Sequence, residues 1–456
     1  MLLWAGEAWA GRDQDAAAGE AEPQAEEEES GFVFFSIVPP PDPDPLALSL
    51  ESQPITVVTI SGNSVTQEHI IRRELELRVG GLFDVDTMSA DIVRLENLGI
   101  FSAIDIDLTE TADGVAVDVA VREMPWIVPY PAFRITDQDS VQIGAALSSL
   151  NLFGLGMGVS GRALFGGATS YQFEVDWPWI AANRVSFKLF TGHILRDDDV
   201  RSFSETSDEF TPWVGTFIGQ DWRARVGFSY FRMEADRDGV TLSPGRQDTL
   251  IRLGAGLGLD TRDSWRNPHR GWENDLQVLR TGGRLGGVGD FWTTDVDVRR
   301  FQPVGPHTVV LFGLASFQTG TLGVDIPSYV DYHLGGANSV RGYAPTGLGR
   351  ELSGKNQLLT TVEYQHLLLD IQELTIFGFR FTMGLELAAF VDTGTAWNEP
   401  NEFGTRRTRT GFGFGVRPIV PGVGEVRLDL GFGTDGGVVF HLGVMPKTEA
   451  QRARLR

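Results

Sequence analysis

Trp222-Arg223-Ala224-Arg225-Val226-Gly227-Phe228-Ser229-Tyr230 alternates without a break. Successive side chains of a strand point to opposite faces, so Trp222, Ala224, Val226, Phe228 and Tyr230 share one side. Arg223, Arg225, Gly227 and Ser229 share the other. The pattern recurs in Ile251 to Asp260, where Ile251, Leu253, Ala255, Leu257 and Leu259 oppose Arg252, three glycines and Asp260. It recurs again in Leu155 to Phe165 and in Val426 to Phe432, where Arg427 and Asp429 interrupt the apolar set. A soluble sandwich turns its charges outward and packs large side chains inside. A second face of Arg, Asp and Gly suits a wet lumen with lipid on the apolar side.

About sixteen such strands can be marked between Trp126 and Met445. They lie near 127–135, 140–149, 155–166, 169–177, 183–192, 208–218, 222–233, 247–260, 270–282, 289–302, 306–319, 356–368, 376–392, 409–419, 423–433 and 436–445. An even number with no free edge is what a bilayer demands, because unpaired backbone groups cannot face hydrocarbon. Trp177, Trp179, Trp213, Trp222, Trp265, Trp272 and Trp292 fall near strand ends and are expected in interfacial girdles. No run of 18 apolar residues is present, so a membrane would be crossed by strands and not by a helix.

Composition narrows the function. A net charge of -23 argues against nucleic acid as partner. The absence of cysteine removes disulfides and Cys-based metal sites. The seven histidines show no metal-ligand spacing and no nucleophile beside them, so neither an enzyme nor a bound metal or other cofactor is expected. Glycine is 55 of 456 residues, much of it inside apolar runs, which suits close approach or curvature in a barrel.

Residues 1–53 read as a disordered acidic and Pro-rich tail, with Glu26 to Glu29 and the stiff spacer Pro39 to Pro45. Ala8-Trp9-Ala10 suggests the remnant of a signal sequence. Residues 54–123 read as a compact β-α-α-β-β unit. Ser64 followed by Gln67 predicts a capped helix start, and a second helix from near Asp86 ends at Gly99. Asp113-Gly114 then closes a hairpin of alternating strands. Residues 124–446 form the expected barrel, and 447–456 a basic tail.

Within the barrel a polar connection, 320–355, carries Val340-Arg341-Gly342-Tyr343. An arginine between glycine-rich turns can reach carboxylates on an opposite wall. Glu363, between Val362 and Tyr364, and Asp392, before Thr393-Gly394, have the parity that points inward and are its expected partners. The alternative is that both are ordinary solvated lumenal charges. A third charged stretch links two strands and contains Asp260, Arg262, Asp263, Asn267, Pro268, Arg270 and Gly271.

Taken in order, these motifs resemble the BamA/TamA-like outer-membrane protein assembly superfamily from about Ile55 to the final strand. The resemblance implies a mainly β protein: a transmembrane 16-stranded antiparallel β-barrel preceded by one small α+β POTRA domain. It implies that Val340 to Tyr343 is the family's VRG[FY] loop folded into the lumen, bound by Glu363 and Asp392. Asp260 to Gly271 is similar to the family's D-x-R-D…N-P-x-R-G link.

The family in turn implies the outer membrane of a Gram-negative-type bacterium, with the POTRA domain in the periplasm. Expected partners are unfolded outer-membrane or secreted polypeptides, outer-membrane lipid and an accessory periplasmic protein. The leading expectation is assistance to protein insertion; the alternatives are a two-partner-secretion-type transporter and a passive porin-like barrel. Only one POTRA repeat is found, and no plug-helix pattern precedes it. Pro129 and Pro131, two apart on the first strand, lack N–H groups on one edge. If that edge meets the last strand, the closing seam is weakened.

Overall fold

The computed structural model describes residues 45–443, apart from 137–139, 181–183, 199–201, 220, 264–267, 345–352, 377–378, 405–407, 421–423 and 426. The acidic segment 1–44, Trp265, Asn267 and the basic tail 447–456 therefore lie outside the described residues.

The alternating stretches become the staves of one antiparallel sheet. In chain order these are β4 (Val128–Thr136), β5 (Ser140–Leu152), β6 (Met157–Gly166), β7 (Ala168–Trp177), β8 (Val185–Asp198) and β9 (Phe203–Ile218). They continue with β10 (Trp222–Ala235), β11 (Gln247–Asp260), β12 (Gly271–Gly282), β13 (Asp290–Val304) and β14 (His307–Gln318). The short pair β15 (Tyr332–His333) and β16 (Ser353–Gly354) lies inside the following connection. The wall resumes with β17 (Asn356–Ile376), β18 (Phe379–Trp397), β19 (Arg409–Val420), β20 (Gly424–Glu425), β21 (Arg427–Gly433) and β22 (Val438–Gly443).

β20 and β21 both pair with β19 and follow one another along the chain, so seventeen strand segments make sixteen staves. The sheet is ordered as a closed barrel with β22 beside β4. Registers run through every neighbouring couple from β4 round to β22; among the described residues none spans the last seam. Each marked strand is present, with ends that differ by a few residues. β17 differs most, running to Ile376 and forming with β18 a hairpin of 21 and 19 residues.

Burial follows the two-residue period. Val226, Phe228 and Tyr230 are exposed on the outer wall, as are Val362 and Tyr364 on β17. Asp295, Asp297 and Arg299 on β13, and Glu363 on β17, are buried on the inner one. One expected girdle residue is on the wrong side. Trp213 alternates with the exposed Val214 and therefore faces the lumen, where Arg225 stacks on it at 5.3 Å. Its ring occupies the space over Gly227 and Gly254: a Cβ on Gly227 would lie 2.3 Å from it. Glycine on the inner face thus makes room for a large ring. Trp222, Trp272 and Trp292 are exposed on the outer wall, as expected.

The small domain holds β1 (Ile55–Ser61), α2 (Glu68–Arg72), α3 (Val85–Leu98), β2 (Phe101–Thr111) and β3 (Gly114–Glu123). Its sheet runs β1-β3-β2, with β1 parallel to β3 and β2 antiparallel to it. Alternate valines of β3 (Val115, Val117, Val119 and Val121) are buried against Ile70, Ile71 and Leu95. α3 is capped by Asp84, whose carboxylate accepts from Thr87 N, and ends at Gly99 with φ 70°. Asp91 of α3 is fully buried and accepts from the amides of Glu76 and Leu77 at 2.8 and 3.0 Å. It ties the loop before α3 to the helix.

Two expectations about this region are corrected. The tail does not extend to residue 53: Pro45–Ser49 form a helical turn (α1), and Ala47 and Leu50 are buried in the domain core. Apolar burial outweighed the local proline signal. Ser64 does not cap α2, whose N-cap position is Gln67 and has no side-chain cap bond. The Ser64 amide and hydroxyl instead donate to the Glu123 carboxylate, together with the amides of Val65 and Thr66. A charged acceptor 59 residues away in sequence captured the cap. Those bonds hold Glu123 down to a pKa of about 2, against the cost of its partial burial.

The domain rests on two turns of the barrel. Gln67 N donates to Gly154 O at 3.0 Å, and Asn151 Nδ2 to Thr66 Oγ1 at 2.8 Å. Arg73 stacks on Trp179 at 4.4 Å and donates to its carbonyl. The β5–β6 and β7–β8 turns thereby mark the end of the barrel next to the small domain, here called the near end.

A buried arginine lock in the barrel lumen

The connection between β14 and β17 enters the barrel. Leu334, Val340 and Tyr343 pack with Phe312, Leu314, Leu359 and Ala396 of the inner wall. This apolar seat fixes the position of the turn that projects Arg341.

Arg341 is fully buried. Its Nε and Nη2 donate to the two oxygens of Asp392 at 2.7 and 3.0 Å, the bidentate fit of a planar guanidinium on a carboxylate. Nη1 donates to Glu363 at 2.9 Å and to Asp429 at 3.1 Å, while the Arg341 amide also donates to Asp392 at 3.0 Å. The guanidinium lies 3.3 Å over the Phe390 ring. Structure therefore brings together all three residues expected here, Arg341, Glu363 and Asp392.

Sequence reasoning missed four further members. Arg417 of β19, also fully buried, bonds Asp429 and donates to Glu363 at 3.2 Å. Thr361 donates to Asp392 at 2.8 Å. His441 of β22 accepts the Gly342 amide through Nε2 at 3.1 Å. That bond fixes the neutral ring's proton on Nδ1. Two guanidiniums thus face three carboxylates on β17, β18 and β21. The signal for Arg417 was available: it follows Gly411, Gly413 and Gly415 at inward parity.

The glycines of this wall are required by close approach. A Cβ on Gly411 would sit 1.8 Å from the Arg341 carbonyl oxygen, and one on Gly431 2.4 Å from the Gly342 nitrogen. Gly342 itself has φ 97°, a backbone state that side chains disfavour. Tyr343 completes the contact, its hydroxyl donating to Thr410 O at 3.2 Å.

The link after β11 lies apart from this lock. Arg262 pairs with Asp260 and with Glu273, and Glu273 in turn with Arg299, which also holds Asp297. Asp263 caps the turn by accepting from the amides of His269 and Arg270. Pro268 precedes that capped pair. Gly271, with φ 114°, stands where a Cβ would come 2.2 Å from Thr261 O. Arg299 in turn stacks at 5.3 Å on Phe312, which belongs to the apolar seat of the loop. Pro129 and Pro131 lie within β4, opposite Leu147 and Ala145 of β5, so they belong to the barrel wall.

Such a molecule is a lipid-facing β-barrel whose lumen is crossed by a loop locked to the wall, with a small β-α-α-β-β domain at its near end. The chain belongs to the Omp85 superfamily. The Omp85 superfamily domain matches residues 151–444, and the POTRA model, described as a surface antigen variable number repeat, matches 54–124. The outer membrane protein assembly factor BamA of Nitratidesulfovibrio vulgaris is 24% identical over 406 residues, covering 84% of this chain. The match covers 49% of that relative, so this chain spans about half its length. Among solved structures, BamA from Haemophilus ducreyi lacking POTRA domains 1-3 superposes with a TM-score of 0.56 at 14% identity, covering 85% of this chain and 83% of that one. CdiB from Escherichia coli gives 0.54 at 15%, covering 87% and 74%. At these identities the likeness concerns the fold.

Proposed function

We propose that this protein assists the insertion or assembly of β-barrel proteins in the outer membrane, with the POTRA domain in the periplasm. The observation that carries the reading is the lock: a buried arginine on an inward loop, matched by carboxylates from three strands. A passive pore has no need of a buried charge network at that cost, since such networks specify one arrangement and add little net stability. The lock holds the loop against β17, β18, β19, β21 and β22, and through His441 it touches the strand at the seam. The POTRA sheet has two edge strands, β1 and β2, either of which accepts an extended client by strand addition. No nucleotide or metal is needed, because folding of the client in lipid supplies the driving force.

The test is the folding rate of a urea-unfolded small barrel protein on liposomes containing this protein, beside Arg341→Ala and empty liposomes. Acceleration that Arg341→Ala loses is the expected result. Absence of acceleration by the wild type, with ion conductance present, overturns the reading in favour of polypeptide export or a passive pore.

A further inference from the structure

Asp295 of β13 faces inward and is 3% exposed, yet neither of its carboxylate oxygens completes a hydrogen bond among the described residues. It pairs there with no arginine, lysine or histidine. The charged groups that act on it most strongly, Asp275 and Asp297, carry its own sign. Each of those is spent on an arginine: Asp275 on Arg225 and Asp297 on Arg299, both at 2.6 Å. One buried negative charge therefore lacks a counterion from the described protein.

A second orphan stands beside the first. Gln318 of β14 is 5% exposed, and its Oε1 has no hydrogen-bond partner among the described residues. Its Nε2 donates to Val330 O at 3.4 Å, which fixes the way the amide lies, since the reverse would set oxygen against oxygen. Ser316 stands opposite Asp295 across the strands, and Gln318 follows it on the same face. The Ser316 hydroxyl accepts from Gln357 Nε2 at 3.1 Å. From the lumenal loop, the Tyr332 hydroxyl adjoins Asp295, Ser316 and Gln318 and closes the group.

Five oxygens from four side chains thus converge, with only two hydroxyl protons among them. The carboxylate and the amide oxygen adjoin these hydroxyls without completing hydrogen bonds to them. An O–H···O bond closes to about 2.7 Å. Oxygens that ligate a hard cation at about 2.4 Å stand further apart, at about 3.4 Å in octahedral array. A bare carboxylate out of water is strongly unfavourable, so a cation is the group that this spacing and this charge call for.

We propose that Asp295, Gln318, Ser316 and Tyr332 bind one monovalent cation, sodium by size, between the barrel wall and the lumenal loop. The charge follows from the count: one unpaired carboxylate balances one positive charge, and a divalent ion leaves a buried excess. A donor set of oxygen alone, without nitrogen or sulfur, suits such an ion. The ion ties Tyr332 to β13 and β14, as the guanidinium of Arg341 ties the loop further on, and the two anchors share no residue. Its role is structural and supplies no driving force. No spacing motif announces the site, because a single carboxylate carries its charge.

The experiment is thermal unfolding of the purified full chain in detergent, read by the heat-modifiable gel shift. Sodium chloride is compared with N-methylglucamine chloride at equal ionic strength. Expected is a midpoint higher by a few degrees in sodium, rising with the logarithm of its concentration. Potassium, a larger ion, is expected to give a smaller shift. Asp295→Asn keeps the shape without the charge, and its midpoint is expected to be the same in both salts. Tyr332→Phe removes one donor and is expected to raise the sodium concentration for half the shift about tenfold. It carries the test where Asp295→Asn does not fold, and an unchanged half-point there overturns the proposal. Equal wild-type midpoints in the two salts, the result of a protonated Asp295 or a trapped water, also overturn it. So does a sodium shift that persists in folded Asp295→Asn, or stabilisation by calcium with none by sodium.

Discussion

Replacing Arg341 by Ala removes a guanidinium that makes four side-chain bonds to Asp392, Glu363 and Asp429. The buried site thereby becomes more negative by one charge, while Arg417 keeps its contacts with Glu363 and Asp429. Breaking a buried pair from one side costs about 3–5 kcal/mol, because the remaining charge stays out of water. Asp392 loses the most: both bonds of its bidentate pair go, while those from the residue 341 amide and the Thr361 hydroxyl stay. At about 1.4 kcal/mol per tenfold, the undocked fraction of the loop should rise by roughly two to four orders of magnitude.

The chain has no cysteine, so Ser339→Cys gives a single thiol two residues from the arginine without a background to remove. Ser339 is 2% exposed, and its replacement changes one oxygen to sulfur. Maleimide labelling should be slow in Ser339→Cys alone and faster by at least a hundredfold when Arg341→Ala is added. Adding Arg341→Lys should fall between, since a point charge cannot reproduce the bidentate fit. Equal labelling rates in the Arg341→Ala and parent proteins would refute the claim that this guanidinium holds the loop.

Gly411→Ala leaves every charge in place but pushes a methyl into the Arg341 carbonyl; labelling at residue 339 should rise as it does for the arginine variant, at a cost of about 1–3 kcal/mol. Glu123 has a folded pKa depressed from 4.5 to about 2, so its contribution is present above pH 4.5 and fades as pH falls toward 2. Amide exchange at Val65 and Thr66 should quicken over that window, and Glu123→Gln should show quick exchange at neutral pH already. Arg73→Ala removes the stack on Trp179, worth about 0.5–2 kcal/mol, and should broaden the POTRA-to-barrel distance distribution measured between spin labels. Replacing Pro129 and Pro131 by Thr restores two amides to β4; cross-linking between β4 and β22 should become more efficient, and unchanged cross-linking removes the prolines from any account of the seam.

Much of the lock was legible because a strand has a period of two. Once Val362 and Tyr364 face out, Glu363 must face in, and the same holds for Asp392 between Val391 and Thr393. Trp213 was misplaced by treating strand-end tryptophans as a class; its parity with Val214 already pointed inward. Arg417 and His441 carried the same parity signal, but nothing local says which inward charges meet. That depends on how sixteen staves curve round and on where the loop lands.

The sequence by itself determined the alternation, hence a barrel with an apolar outside, and the order of elements in the small domain. These follow from spacing between near neighbours, which the chain cannot alter without moving every side chain to the other face. Tertiary structure decided the rest. It joined Asp429 and His441, 88 and 99 residues beyond the loop residues they touch, to the lock. It gave the Ser64 cap to Glu123, and it set Tyr332 of the loop beside Asp295. Such contacts arise from closure of the barrel and docking of the loop, long-range events in which charge, space and burial are settled together.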